Sequence, residues 1–174
     1  MSKTETPILV IIDMQPEFSA SQNKVLLSNL CREIRRFKAK GWPILVVEYS
    51  YHGRNNLMPN WFRTDRRLIR VIGDYDKAWF VVKARDDGSK EVERAIRHIP
   101  LYCLQSIPVL YIAGVSASAC VRATVQGLGR NMPNATINVI ADCCGDWGDR
   151  MTFLEREPLN FPANVVLQRQ EAMT

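Results

Sequence analysis

Histidine is scarce in this sequence, with only His52 and His98, and none of the five cysteines forms a C-x-x-C pair. A structural zinc site of the Cys/His type is therefore hard to build. No apolar run approaches the ~20 residues that a transmembrane helix requires; the stretch 8–12 is typical of what is present. A signal peptide is not expected, because Lys3 and Glu5 precede a short apolar run that ends in Asp13 with no small-residue cleavage site behind it. A cytoplasmic location is the expectation, with reduced thiols. The odd count of Cys31, Cys103, Cys120, Cys143 and Cys144 also argues against a closed disulfide framework. Internal repeats, low-complexity tracts and linker-like stretches are missing as well, so a single domain over residues 1–174 is expected.

The composition is that of a globular chain large enough for its own core, 47% hydrophobic and 24% charged. A net charge of +5 raises the question of an anionic partner. The basic residues are scattered, however, and the one cluster, Arg63, Arg66, Arg67 and Arg70, has the spacing of a helix's solvent face and no accompanying nucleic-acid motif. Neither nucleic acid nor a membrane is an expected partner.

Short, continuously apolar runs at 8–12, 44–47, 79–82, 109–113, 137–141 and, more weakly, 164–167 are rich in β-branched residues. Strands covered on both faces read this way. Between them lie amphipathic stretches. Leu26, Leu27, Leu30, Cys31, Ile34 and Phe37 recur at helical spacing before Gly41. Ser89 is placed to cap a helix carrying Val92, Ala95, Ile96 and Ile99 ahead of Pro100. Cys120, Val121, Thr124, Val125 and Leu128 form a third stripe. The alternation predicts an α/β fold, a three-layer α/β/α arrangement around a doubly wound, mostly parallel sheet of about six strands. Residues 49–76 read as a long loop with a short helical piece.

In such sheets the ligand crevice lies beyond the carboxyl ends of the strands. Asp13 closes the first run, Lys83 closes the third, and Cys120 follows the fourth across Gly114-Val115-Ser116-Ala117-Ser118-Ala119. Each has a plainer alternative: Asp13 as a helix cap, Lys83 as a snorkelling surface residue, Cys120 as an inert buried thiol. Their shared edge favours chemistry. A thiol at a helix start is expected to feel the positive end of the macrodipole and to lean toward the thiolate, helped by Lys83, with Asp13 to accept its proton. Backbone N–H groups of the small-residue turn are suited to a developing oxyanion.

Three segments in this order resemble the isochorismatase-like, or cysteine hydrolase, superfamily. They are Ile11-Ile12-Asp13-Met14-Gln15 with Phe18 following, Val81-Val82-Lys83, and Ala113-Gly114-Val115-Ser116-Ala117-Ser118-Ala119-Cys120-Val121-Arg122-Ala123-Thr124. The resemblance implies an Asp–Lys–Cys triad with Asp13 as general base, Lys83 orienting the site and stabilising charge, and Cys120 as nucleophile. It further implies a cis peptide between Val115 and Ser116, an oxyanion hole from the Ser116 and Cys120 amides, and substrate contacts from Phe18, Trp61 and Val115. A homodimer or larger homo-oligomer, acting on a small molecule, is the implied assembly. The sequence departs from the nicotinamidase branch, whose Asp-x-His metal motif after the second strand is replaced by Glu48-Tyr49-Ser50-Tyr51-His52. No metal and no cofactor are therefore expected. Cys120 itself, absent from the branch that acts on isochorismate, points to cleavage of an amide, carbamoyl or ureido C–N bond. The alternatives are a catalytically silent small-molecule binder of the same fold and a thiol redox protein using Cys143 and Cys144. Cys31 and Cys103 read as core fillers, and His52 and His98 as surface residues.

Overall fold

A computed structural model describes residues 6–50, 63–99, 108–147 and 161–168. Its strands β1 (Thr6–Ile12), β2 (Ile44–Tyr49), β3 (Ala78–Lys83), β4 (Pro108–Val115), β5 (Thr136–Gly145) and β6 (Val165–Gln168) fall on the six apolar runs. They form one sheet in the order β3-β2-β1-β4-β5-β6, and every neighbouring pair is parallel. The chain begins in the middle, winds outward to β3, then crosses back to β4 on the other side of β1. That reversal opens a crevice above the carboxyl ends of β1 and β4.

Side chains on a strand alternate faces, so each apolar run feeds two cores. Leu9, Ile11, Ile44 and Val46 meet Leu30, Ile34 and Phe37 of α1 (Lys24–Ala39) and Leu68 of α2 (Arg66–Ile72). Ile8, Val10, Ile12, Leu45 and Val47 meet Val92 and Ile96 of α3 (Ser89–His98) and Val125 and Leu128 of α4 (Arg122–Asn131). The three layers expected from the sequence follow from this split. Arg63, Arg66, Arg67 and Arg70 are all exposed, with Arg67 folding back to pair with Asp65.

The helix ends explain where the elements stop. Asn23 caps α1 by accepting the N–H groups of Val25 and Leu26. Gly41, with φ of 67°, takes the left-handed turn just beyond its end. Ser89 does not cap α3. It lies inside the first turn behind Gly88, while Asp87 Oδ1 accepts its N–H at 2.8 Å. The aspartate one residue outside the cap thus satisfies an orphan donor that the serine was expected to serve. The stripe that begins at Cys120 is also not one continuous α-helix. Residues Ala117–Val121 form a wider turn in which the Val121 N–H donates to the Ser116 carbonyl five residues back, at 3.2 Å, before α4 takes over. Such π-turns recur at functional sites.

Gly114 is where the fold is tightest. It has φ of 143°, and a Cβ there would stand 2.1 Å from the Ile12 carbonyl oxygen of the adjacent strand. The β4–β5 register also shifts between Ile112 and Gly114. Gly114→Ala is expected to lower stability by at least the about 1–3 kcal/mol of one strained backbone position. Urea denaturation measures this, and an unchanged midpoint would show that β1 and β4 tolerate more separation than this contact allows.

Candidate active site

Each candidate side chain is delivered by a strand end. Asp13 follows β1 directly in a left-handed conformation, φ of 54°, and its N–H donates to the Val47 carbonyl of β2 at 2.9 Å. The positive φ turns the chain sharply out of the sheet and leaves the carboxylate over the crevice. Lys83 ends β3, one strand beyond β2, and its long stem brings Nζ to 2.9 Å from Asp13 Oδ2. Both side chains are fully buried. The ammonium also donates to the carbonyls of Arg85 (3.0 Å) and Asp86 (3.3 Å), and lies 4.6 Å from the ring centroid of Tyr49. Neither Asp13 oxygen accepts a hydrogen bond of normal geometry among the described residues. Lys83 at 2.9 Å is the counter-charge of this carboxylate, and the Cys120 thiol also acts on it.

Cys120 sits in the π-turn at 5% exposure, close enough to Asp13 for each to perturb the other's titration. Burial raises the Asp13 carboxyl above its ordinary range, against the opposing pull of Lys83. The Cys120 thiol is pushed up to about 12, first by burial and then by the Asp13 charge, with Lys83 acting in the other direction. This overturns the thiolate expected from the helix start. A macrodipole supplies only a partial charge, whereas desolvation and a full carboxylate charge act on the sulfur at contact range. Burial and the Asp13 charge thus both act to keep the proton on sulfur. Asp13→Asn removes the charge that holds the proton on sulfur and leaves Lys83 uncompensated. It is expected to speed alkylation of Cys120 at pH 7 by tenfold or more, since rate follows thiolate fraction. Peptide mass spectrometry after timed iodoacetamide treatment reads this. Slower labelling in the variant would mean that Asp13 lowers, and does not raise, the thiol's affinity for its proton.

The oxyanion turn differs from expectation in one respect. The Val115–Ser116 peptide is trans, since no cis bond occurs among the described residues. The chain makes its tight exit from β4 through dihedrals, with Gly114 at φ of 143° and Ser116 left-handed at φ of 57° and ψ of 53°. The Val115 side chain, expected to touch substrate, is fully buried in the core on the α1 side of the sheet, the opposite layer from Cys120. Its strand position dictates that face. Phe18 is half-buried and packs edge-on against Tyr49 with ring centroids 6.3 Å apart, which puts it beside the residue that underlies Lys83. Trp61, His52 and Cys103 lie outside the described residues. Cys143 and Cys144 are free thiols on opposite faces of β5, one in each core, so strand geometry turns the two sulfurs away from each other and removes the redox reading. No group of three or more His, Cys, Asp or Glu side chains suited to a metal ion occurs among the described residues.

Other contacts were not apparent from spacing. Gln15 is buried and pairs twice with the Tyr49 backbone, donating to its carbonyl at 3.0 Å and accepting its N–H at 2.6 Å. It thereby ties the segment after β1 to the end of β2. Thr124, one turn after Cys120, accepts the Gly88 N–H at 3.0 Å and donates to the Asp86 carbonyl at 3.4 Å. The Cys120 thiol donates to Asp86 Oδ1, with the sulfur 3.7 Å from the oxygen. In the sequence Asp86 is one polar residue in Arg85-Asp86-Asp87, which reads as an ordinary loop.

A family model described as Isochorismatase domain matches residues 7–165. No curated protein matches the chain. Among solved structures, an isochorismatase family protein from Burkholderia thailandensis is similar at a TM-score of 0.68 and 19% identity, covering 93% of this chain and 90% of its own. The N-carbamoylsarcosine amidase from Thermoplasma acidophilum is similar at 0.66 and 17% identity, covering 97% and 99%. The nicotinamidase from Staphylococcus aureus follows at 0.62 and 16%, covering 82% and 84%. At these identities the structural likeness speaks for the fold.

Proposed function

This chain belongs to the isochorismatase family and carries that family's hydrolase fold, and on that premise we propose that it cleaves a C–N bond of a small amide, carbamoyl or ureido compound through a thioester on Cys120. The observation that carries the reading is the convergence of Asp13, Lys83 and Cys120 in one crevice, with the carboxylate and ammonium 2.9 Å apart and the thiol against them. Two similar proteins, an N-carbamoylsarcosine amidase and a nicotinamidase, are named for amide-type substrates, which supports this bond class.

In the proposed cycle, Asp13 removes the thiol proton as sulfur attacks the carbonyl carbon. A thiol pushed up to about 12 needs a base at contact distance, and Asp13 is that base. Lys83 holds Asp13 ionised before the transfer. Backbone N–H groups of Ser116 and Cys120 take the oxyanion. Ammonia or an amine then leaves with the proton carried by Asp13, and water activated by the same carboxylate hydrolyses the thioester. Burial suits Asp13 to both roles, because a carboxyl raised above its usual range gives up and regains a proton more readily near neutrality. The active form is proposed to be a homo-oligomer.

The test is a panel of amides, carbamoyl amino acids and ureides assayed for released ammonia, with Cys120→Ala as control. Turnover of at least one compound by the parent and not by the variant is the expected result. Turnover of none across all three classes, by folded protein, would end the proposal.

A further inference from the structure

Asp86 has no place in the cycle just described, yet its carboxylate stands beside the reacting sulfur. Asp86 Oδ1 is 3.7 Å from Cys120 Sγ, and the residue is exposed where Asp13 is buried. Two carboxylates therefore approach the thiol, one buried in the protein and one exposed to solvent. The position of Asp86 is built. Its carbonyl accepts from Lys83 Nζ at 3.3 Å and from Thr124 Oγ1 at 3.4 Å, and Thr124 also holds the Gly88 N–H. Two residues flanking the nucleophile thus clamp the backbone that carries the carboxylate.

A carbonyl carbon poised for attack lies about 3–3.5 Å from the sulfur. A carboxylate oxygen 3.7 Å from that same sulfur is within hydrogen-bond reach of a group bonded to that carbon. It accepts N–H and repels O⁻. The rest of the site points the same way. The buried Asp13 carboxylate, already partnered by Lys83 at 2.9 Å, adds a second negative group beside the sulfur. The Ser118 N–H in the turn after β4 donates to Asp146 Oδ2 at 3.1 Å.

We propose that Asp86 is a specificity-determining residue: its carboxylate receives an N–H or ammonium group of the substrate next to the scissile carbonyl and turns away substrates that carry a carboxylate there. The inference rests on the reading of Cys120 as the nucleophile. The substrate class it names is neutral or cationic and rich in N–H donors, such as an unsubstituted ureide or an amide with a neighbouring amine.

Paired alkylation of Cys120 with neutral iodoacetamide and anionic iodoacetate tests charge selection without any substrate. Sulfur displaces iodide in both, and the reagents differ only in the group next to the new C–S bond. The ratio of the two rates at Cys120, read by peptide mass spectrometry, is expected to be about 5- to 50-fold larger in the parent than in Asp86→Asn, the spread reflecting the effective dielectric at the mouth. Equal ratios in the two proteins would overturn the proposal. In the hydrolysis arm, an ammonium-bearing amide and its carboxylate counterpart are compared by kcat/KM, and Asp86→Asn is expected to narrow the preference for the former. Loss of both substrates alike in Asp86→Asn would overturn the assignment by making Asp86 part of the chemistry. A collapsed alkylation ratio in a protein that hydrolyses no C–N substrate upholds charge selection by Asp86 and removes only the reaction proposed above.

Discussion

Cys120→Ala is expected to lower kcat/KM for the best C–N substrate by about 10⁴-fold or more, with little change in thermal midpoint. The size of the effect follows from covalent catalysis. Without sulfur the reaction must proceed by direct attack of water, and the remaining groups supply only orientation and charge stabilisation. Stability should change little, because the side chain lost is small and lies in a turn whose backbone bonds are its own. The Val121 and Ala119 N–H groups both go to the Ser116 carbonyl, whatever stands at position 120. Cys120→Ser is expected to be nearly as inactive. An alcohol is harder to deprotonate than a thiol, and this site already pushes the thiol up to about 12. Retention of activity within tenfold in Cys120→Ala would show that Asp13 activates water directly, with Cys120 a spectator. Steady-state assays on folded variants, with mass spectrometry for an acyl adduct in the parent, separate the two routes.

The second large effect is on stability. Lys83→Met leaves the Asp13 carboxylate buried with no counter-charge, and breaking a buried ion pair from one side costs about 3–5 kcal/mol. The stem is replaced by a side chain of similar shape, so most of the loss is electrostatic. Adding Asp13→Asn to Lys83→Met should recover more than half of it, since the uncompensated charge is then gone. The remainder is the cost of the Arg85 and Asp86 carbonyls that lose their donor. Asp13 is already raised by burial in the parent, and losing Lys83 raises it further. A group whose folded value lies above its unfolded value favours the folded state when protonated, and that advantage disappears as pH rises through the folded value. Lys83→Met should therefore be nearer to the parent in stability at pH 5 than at pH 8. Chemical denaturation of the three variants at both pH values tests this. A double variant no more stable than the single one would mean that Lys83 acts through packing alone.

Much of the frame was legible because its cause is local. Strands covered on both faces must be apolar throughout, and all six runs proved to be strands. α1 declared itself through the spacing of Leu26, Leu30, Ile34 and Phe37, each buried against the sheet. At the start of α3 the competing group lies two residues away, Asp87 in place of Ser89. The residues of the candidate site were marked by their position at strand ends, since a parallel sheet brings all such ends to one edge.

Their electrostatic state was a different matter. Whether Cys120 rests as thiol or thiolate depends on burial and on the distance to Asp13, and neither quantity exists along the chain. Val115 alternates into the opposite core because of the phase of β4, which a run apolar on both faces does not reveal. Asp86 meets the sulfur only because Lys83 and Thr124, remote from each other in sequence, grip the same carbonyl. Sequence alone determined which runs are apolar strands and that Asp13, Lys83 and Cys120 lie at or just beyond strand ends, because those follow from neighbours along the chain. Tertiary structure decided which side chains touch and what charge they hold there, because Coulomb and desolvation energies depend on separations in space between residues far apart in the chain.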